Sequence, residues 1–448
     1  MIHKIIEKLK DKKVAILGFG REGKSTYRLL RKYLQDQVFT ILDQKEIELD
    51  DDKVIKVTGE HYLDNLDQYD MIIKTPGISL KDIDIEPIKN KITSQLELLL
   101  EVNRKNIIGI TGTKGKSTTS TLTYEVLKDQ LKDVYLLGNI GVPVLDEIEN
   151  YKEDTKLVIE MSSHQLEFIK KSPHIACILN LYQDHLDHAG SLEHYHQNKM
   201  NIFKYQTEED YCIYSEDNEY LEKRMKEYPY KGIHYSVRFD NLHLEGNTTR
   251  KVNKDIYINK EKVYTDQKRN ILGDHNLKNI MFVLTVAHIL NLDINRAKHV
   301  IENFHGLKYR MEYIGKSHEI VFYNDTIATI PDATINAIHS IPNIETVIIG
   351  GLDREIDYQE FIDFLKESCL KNIICMPTTG IKIGKALEES NKNIYYANTL
   401  EEAYKISIDV TEKGKACILS PAAASYEFFK NFEEKGKAFE EIVKNDKK

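Results

Sequence analysis

Residues 106–118 read Asn106-Ile107-Ile108-Gly109-Ile110-Thr111-Gly112-Thr113-Lys114-Gly115-Lys116-Ser117-Thr118. A short apolar run feeds a glycine-bearing loop, and a helical pattern follows from 117 to 127. Glycines let such a loop turn its N–H groups toward phosphate oxygens. The helix start adds a favourable dipole, Lys116 a point charge, and Ser117 a hydroxyl suited to Mg²⁺. A plain glycine turn before an ordinary helix is the alternative, and strand, loop and helix in this order favour the phosphate cradle. The strict G-x-x-x-x-G-K-[ST] pattern wants glycine at 110, where this chain has Ile110, so the loop is a variant that disfavours the common GTPases.

Outward from this loop, apolar runs at 134–137, 157–161 and 175–181 each end in polar residues, as strands of open α/β sheets do at their functional edge. Alternating stretches at 256–258 and 263–265 flank Asn259-Lys260 and predict a hairpin or meander across 236–268. Helical patterns at 276–290 and onward to 304 close this block. Before it, Val14-Ala15-Ile16-Leu17 suits a buried parallel strand and leads into Gly18-Phe19-Gly20-Arg21-Glu22-Gly23 and a helical stretch over 24–33. Strands are expected at 38–42, ending at Asp43, and at 71–74, ending at Thr75-Pro76-Gly77. The unit stops near residue 98. Its G-x-G-x-x-G with Asp43 about 20 residues on is compatible with a dinucleotide, another nucleotide or pure packing. No hydride-transfer site accompanies it, and with ATP at the second loop a different ligand fits the first domain better. After Phe304-His305-Gly306, strands at 320–324, 346–349, 372–376 and 415–419 alternate with helices, again doubly wound. The fold class is therefore α/β in three domains: Rossmann-like over 1–98, a P-loop ATPase over 99–304, and doubly wound Rossmann-like over 305–448.

Chemistry-bearing residues cluster after the apolar runs. Glu160 closes one of them, where a carboxylate serves a magnesium ion or simply faces water. Asn180-Leu181-Tyr182-Gln183-Asp184-His185-Leu186-Asp187-His188 follows another, with His194 and His196 beyond it. By residue type this set admits zinc, but the hard Mg²⁺ implied by the loop also uses His and carboxylate together. Lys199 lies on an expected helix 14 positions after His185, where a lysine read alone is a solvated one.

Composition narrows the class. The 448 residues allow two or three domains, and 41% apolar with 30% charged is ordinary for a folded protein. A net charge of -9 argues against binding nucleic acid through bulk phosphate attraction. Five cysteines without a CxxC fit a reducing compartment rather than a disulfide or cysteine-zinc framework. No apolar run approaches the roughly 18 residues of a membrane span, and the start is too charged for a signal-peptide core. A cytoplasmic protein without membrane insertion is expected.

At these residues the sequence resembles the Mur ligase family, most of all its glutamate-adding members. The match runs through Gly112-Thr113-Lys114-Gly115-Lys116-Ser117, Gly138-Asn139-Ile140-Gly141, Glu160-Met161-Ser162-Ser163-His164-Gln165-Leu166 and Asp184-His185-Leu186-Asp187. It continues with His275-Asn276, Leu419-Ser420-Pro421-Ala422-Ala423-Ala424-Ser425, Lys430-Asn431-Phe432-Glu433 and Gly436. The resemblance implies a uridine-nucleotide domain, an ATPase domain and an amino-acid domain, working as a monomer on UDP-N-acetylmuramoyl-L-alanine and glutamate. It implies amide synthesis through an acyl phosphate, because a carboxylate is a poor electrophile until phosphorylation supplies a leaving group.

Carried over position by position, Lys116 holds the β- and γ-phosphates within an ATP site of Gly112, Thr113, Lys114, Gly115, Ser117, Thr118, Asn276, Asn279, Arg310 and Asp325. Ser117 and Glu160 take one Mg²⁺. His185 and Lys199 serve a second, with Lys199 carbamylated, since an ammonium repels a metal and a carbamate binds it. Asn139 contacts the muramoyl substrate and the reacting centre; Gly20, Arg21, Glu22, Asp43, Gln44 and Gly77 hold the uracil and diphosphate. Thr329, Ser425 and Phe432 meet the glutamate. The sequence also departs from the family. Ile327 replaces a usual lysine, Gln44-Lys45 a Thr-Arg pair, and Tyr309 a common histidine. Asp353-Arg354 stand where a lysine grips the glutamate carboxylate, and Arg354 substitutes as a bidentate donor. The L-glutamate-adding paralogue remains an alternative. Folylpolyglutamate synthase is a further one, disfavoured by the α/β unit before the P-loop. A nucleotide-dependent switch needs no second-metal ligands, so it too is disfavoured.

Overall fold

A computed structural model of the chain describes residues 1–139, 142–182, 191–239, 246–271, 273–353, 357–425 and 429–446. These form two compact units: Met1–Gln267 with His275–Glu302, and Lys268–Asp274 with Asn303–Lys448.

The first unit holds two sheets. The N-terminal one contains β1 (Val14–Leu17), β2 (Phe39–Asp43), β3 (Val54–Thr58), β4 (Met71–Lys74) and β5 (Ile92–Thr93), ordered β3-β2-β1-β4-β5 and parallel throughout. β1 and β4 are buried at every position, which is why their sequences are continuous apolar runs rather than alternating ones. The second sheet contains β6 (Ile107–Thr111), β7 (Val134–Gly138), β8 (Lys156–Glu160), β9 (Ile175–Ile178), β10 (Tyr211–Ser215), β11 (Ile233–Phe239), β12 (Thr248–Val252), β13 (Asp255–Ile258) and β14 (Glu261–Thr265), ordered β14-β13-β12-β11-β10-β9-β6-β8-β7. One continuous core joins the two sheets, because the helix Gln95–Asn103 buries Leu96 and Leu98–Leu100 among residues of both.

The expected hairpin forms between β13 and β14, with Asn259 in the left-handed region at φ +56°. The strand before it differs: β11 pairs with β12 in parallel, not as a hairpin. Alternation in a sequence reports a half-exposed strand and carries no information on the direction of its partner.

The second unit carries one sheet of β15 (Glu312–Ser317), β16 (Ile320–Asn324), β17 (Ile344–Ile349), β18 (Asn372–Cys375), β19 (Asn393–Tyr396) and β20 (Ala416–Leu419), ordered β15-β16-β20-β17-β18-β19. Only β15 runs antiparallel to its neighbour. Among the described residues no helix is long and apolar enough to cross a membrane.

Candidate active site

In the second sheet, β6 lies between β8 and β9, and the register sets Ile110 opposite both Glu160 and Cys177. Thr111 therefore hands the chain to the phosphate loop at the carboxyl edge where β8 ends in Glu160. Gly112 and Gly115 have φ +154° and +86°, conformations that L side chains rarely adopt. A Cβ on Gly115 would sit 2.7 Å from Asn279 Oδ1. Asn180, just past β9, pins the loop: its Oδ1 accepts from Lys114 N at 2.9 Å, its Nδ2 donates to Lys114 O at 3.0 Å, and its carbonyl accepts from Thr113 N at 3.1 Å. The helix Lys116–Gln130 follows, with Ser117 and Thr118 half-buried in its first turn. Lys116 Nζ folds back to donate to Gly112 O and Thr113 O, both at 2.9 Å.

Glu160 is 1% exposed. Its Oε1 accepts a 2.7 Å hydrogen bond from Asn139 Nδ2, and its Oε2 is buried without a hydrogen-bond partner among the described residues. An uncompensated carboxylate oxygen beside a phosphate loop is costly, and a hard cation would satisfy it. The donor set fits Mg²⁺ on that ground. Lys199 sits on the helix Leu192–Lys204, 2% exposed, with Nζ 3.1 Å from Gly112 O and over the Tyr195 ring. That helix begins because Ser191 caps it by accepting from His194 N. Asn279 reaches the same loop from the helix Asp274–Ile289, beside Gly115, and its Nδ2 donates to Asn276 Oδ1 at 3.2 Å. Gly112–Thr118, Asn139, Glu160, Lys199 and Asn279 thus share one edge. His185 lies outside the described residues.

The first glycine loop divides its labour. A Cβ on Gly18 would meet Thr75 Oγ1 at 2.1 Å and one on Gly23 would meet Gly18 O at 2.0 Å, so both are packing glycines. A Cβ on Gly20 or Gly77 would meet nothing within 4 Å among the described residues, which leaves room for a ligand at that edge. Asp43 orders the loop, accepting from Phe19 N at 2.6 Å and Lys45 N at 2.9 Å, while Gln44 is exposed beside it. Arg21 donates to Gly138 O at 3.3 Å, adjacent to Asn139. Burial raises the Glu22 carboxyl above the usual range, opposed by its hydrogen bond from Gln165 and by the Arg21 and Lys74 charges.

Within the second unit, Asp325 is 3% exposed. It accepts from Met311 N at 3.0 Å and from Ser420 Oγ at 2.7 Å. Burial pushes its carboxyl up to about 7, against those hydrogen bonds and the Arg310 charge. Thr329 is half-buried, its N–H donating to Ile327 O at 2.9 Å. Ser425 is buried, and its Oγ has no hydrogen-bond partner among the described residues, a hydroxyl available to a polar ligand. Phe432 opens the helix Phe432–Asn445 and meets Tyr309 edge-on at 6.2 Å. Arg354 lies outside the described residues. Two cations here escaped the sequence reading. Lys435, 3% exposed, donates to Gly350 O at 3.0 Å, and Lys382 pairs with Asp353 beside the diglycine. Lys74 in the first unit escaped as well, although a lysine closing the apolar run Met71-Ile72-Ile73 is itself a signal.

The Mur ligase middle domain matches residues 110–287. The UDP-N-acetylmuramoylalanine–D-glutamate ligase of Clostridioides difficile (strain 630) is 32% identical, covering 98% of this chain and 99% of its own. That of Acetivibrio thermocellus is 34% identical over 98% and 97%. Among solved structures, the Thermotoga maritima UDP-N-acetylmuramate-alanine ligase MurC aligns with TM-score 0.55 at 19% identity, covering 97% of this chain and 100% of that one. The MurF ligase of Thermotoga maritima, in complex with ADP, aligns with TM-score 0.55 at 18% identity over 98% and 97%. The two structures speak for the fold, and the near-full-length relatives for descent: the chain belongs to the Mur ligase family.

Proposed function

We propose that this chain is an ATP-dependent ligase that joins D-glutamate to UDP-N-acetylmuramoyl-L-alanine in peptidoglycan precursor synthesis. It acts in the cytoplasm as a monomer, every role being assigned within one chain. Residues 1–98 take the uridine nucleotide, 99–304 ATP, and 305–448 the amino acid. The observation that carries this reading is the buried, half-satisfied Glu160 on the edge that also holds the phosphate loop and Lys199.

An oxygen of the alanyl carboxylate bonds to the γ-phosphorus of ATP as the bond to the β-phosphate oxygen breaks, and ADP departs. The glutamate amine then attacks the acyl carbon, loses a proton, and phosphate leaves. Catalysis of this kind is chiefly positioning and charge neutralisation. Lys116 balances the β- and γ-phosphates, and the Gly112–Gly115 N–H groups orient them. Asn139 holds Glu160 and faces the muramoyl substrate. Ser117 and Glu160 would hold one Mg²⁺, and His185 with a carbamylated Lys199 a second; the ions would supply charge neutralisation at the phosphates. Arg310 and Asp325 serve the nucleotide, and Thr329, Arg354, Ser425 and Phe432 the glutamate. The relatives' name as D-glutamate ligases supports the D isomer. An ADP-release assay with D- and L-glutamate side by side tests it. Release is expected only with UDP-N-acetylmuramoyl-L-alanine and D-glutamate together, and equal or greater release with L-glutamate would reverse the assignment.

A further inference from the structure

A second polar cluster lies within the first unit, where the N-terminal sheet meets the short helix Ser163–Leu166. Lys74 closes β4 just before Thr75-Pro76-Gly77 and is 3% exposed. Its Nζ lies 3.6 Å from Glu167 Oε2 and 3.4 Å from Thr75 O. Glu22, on the helix Arg21–Tyr33 that follows the first glycine loop, accepts a 2.9 Å hydrogen bond from Gln165 Nε2. The same Gln165 is fixed at its other end, its Oε1 accepting from Ser162 N at 3.0 Å in a capping box. Gln95 Nε2 ties the Glu22 turn from behind through Glu22 O, Ser25 Oγ and Thr26 Oγ1.

These contacts converge on one stretch, 160–167. Glu160 faces the phosphate-loop edge, Gln165 the first glycine loop, and Glu167 the end of β4. From the opposite side, Asn201 Nδ2 donates to Leu166 O at 3.0 Å, and His194 Nε2 lies 3.5 Å from Glu167 Oε1. Both belong to the helix Leu192–Lys204, which carries Lys199. A shift of this stretch in response to the first loop therefore moves a metal-edge carboxylate and the Lys199 helix together. An ammonium buried under an apolar strand end is unfavourable without a counter-charge, and Glu167 is the carboxylate that pairs with Lys74.

We propose that stretch 160–167 is a strut, and that Lys74 and Gln165 are positioning residues coupling the uridine-nucleotide loop to the metal–phosphate edge. Binding of the UDP substrate and of the nucleotide become mutually favourable through it. This rests on the functional reading above. Calorimetric titration of β,γ-methylene ATP with Mg²⁺, with and without saturating UDP-N-acetylmuramoyl-L-alanine, measures the coupling. The wild-type factor is expected at about fivefold or more, falling to about one in Lys74→Met and Gln165→Leu while each ligand's separate affinity stays within about threefold. Lys74→Arg, which keeps the charge, retains most of the factor. An unchanged factor in Lys74→Met, or a factor of one in the wild type, overturns the proposal. Should Lys74→Met not fold, Glu167→Gln, at a side chain 18% exposed, carries the same test. Failure of the UDP compound to bind the wild type at all would overturn the functional reading, and this proposal with it.

Discussion

Asn139 donates its side-chain amide to Glu160 Oε1 at 2.7 Å, and the other Glu160 oxygen is buried without a hydrogen-bond partner among the described residues. One oxygen is thus aimed by a neighbour, and the other is open to the cation proposed above. Residues that orient a metal ligand commonly change metal affinity about 10–100-fold when lost. Asn139→Leu is expected to raise the Mg²⁺ concentration for half-maximal ADP release by about tenfold or more. An unchanged Mg²⁺ requirement would separate Asn139 from the metal edge.

Gly115 combines a φ of +86° with a prospective Cβ contact of 2.7 Å to Asn279 Oδ1. Gly115→Ala is expected to cost about 1–2 kcal/mol of stability from the left-handed backbone alone. It also displaces Asn279, so ATP binding weakens. Denaturant unfolding and nucleotide titration check the two effects, and in unfolding Asn279→Ala in the same background relieves the contact while the backbone strain stays.

Asp325 gives stability a pH signature. Its carboxyl is raised by burial from an ordinary 3.8 to about 7, so the folded state holds the proton more tightly than the unfolded chain. The contribution is fully present below about 3.8 and is lost as pH rises to about 7. Thermal melting from pH 4 to 8 is expected to show this decline in the wild type and a flatter profile in Asp325→Asn. Identical profiles would contradict the buried carboxyl's part in it.

Lys199, buried with Nζ 3.1 Å from Gly112 O, is expected to be indispensable as a carbamate. Lys199→Ala should lower turnover by about 10²–10³-fold, the scale of losing one preorganised charge at a reacting centre. Bicarbonate should restore part of it. Full activity in the variant would remove the carbamate.

What the sequence revealed follows burial. β1, β4, β6, β8 and β9 are covered on both faces, so their apolar runs are unbroken and their ends fall at the sheet edge. Short or half-exposed strands such as β3, β5, β15 and β19 left no such run and were not foreseen. The phosphate loop was legible because its glycines, lysine and serine are contiguous. Asn279 entered the ATP site through the family resemblance, and its place beside Gly115, 164 positions away, has no local pattern. Lys74, Gln165, Glu167 and Lys435 meet partners distant in sequence, and their types alone read as polar surface residues.

Everything here turns on activation of the muramoyl acid by phosphorylation. The most direct measurement supplies UDP-N-acetylmuramoyl-L-alanine labelled with ¹⁸O in its carboxylate, together with ATP and D-glutamate, and follows the label into released phosphate. One labelled oxygen per phosphate is predicted. Phosphate carrying no label, with amide product formed, would contradict the acyl phosphate and the roles given to the residues around it.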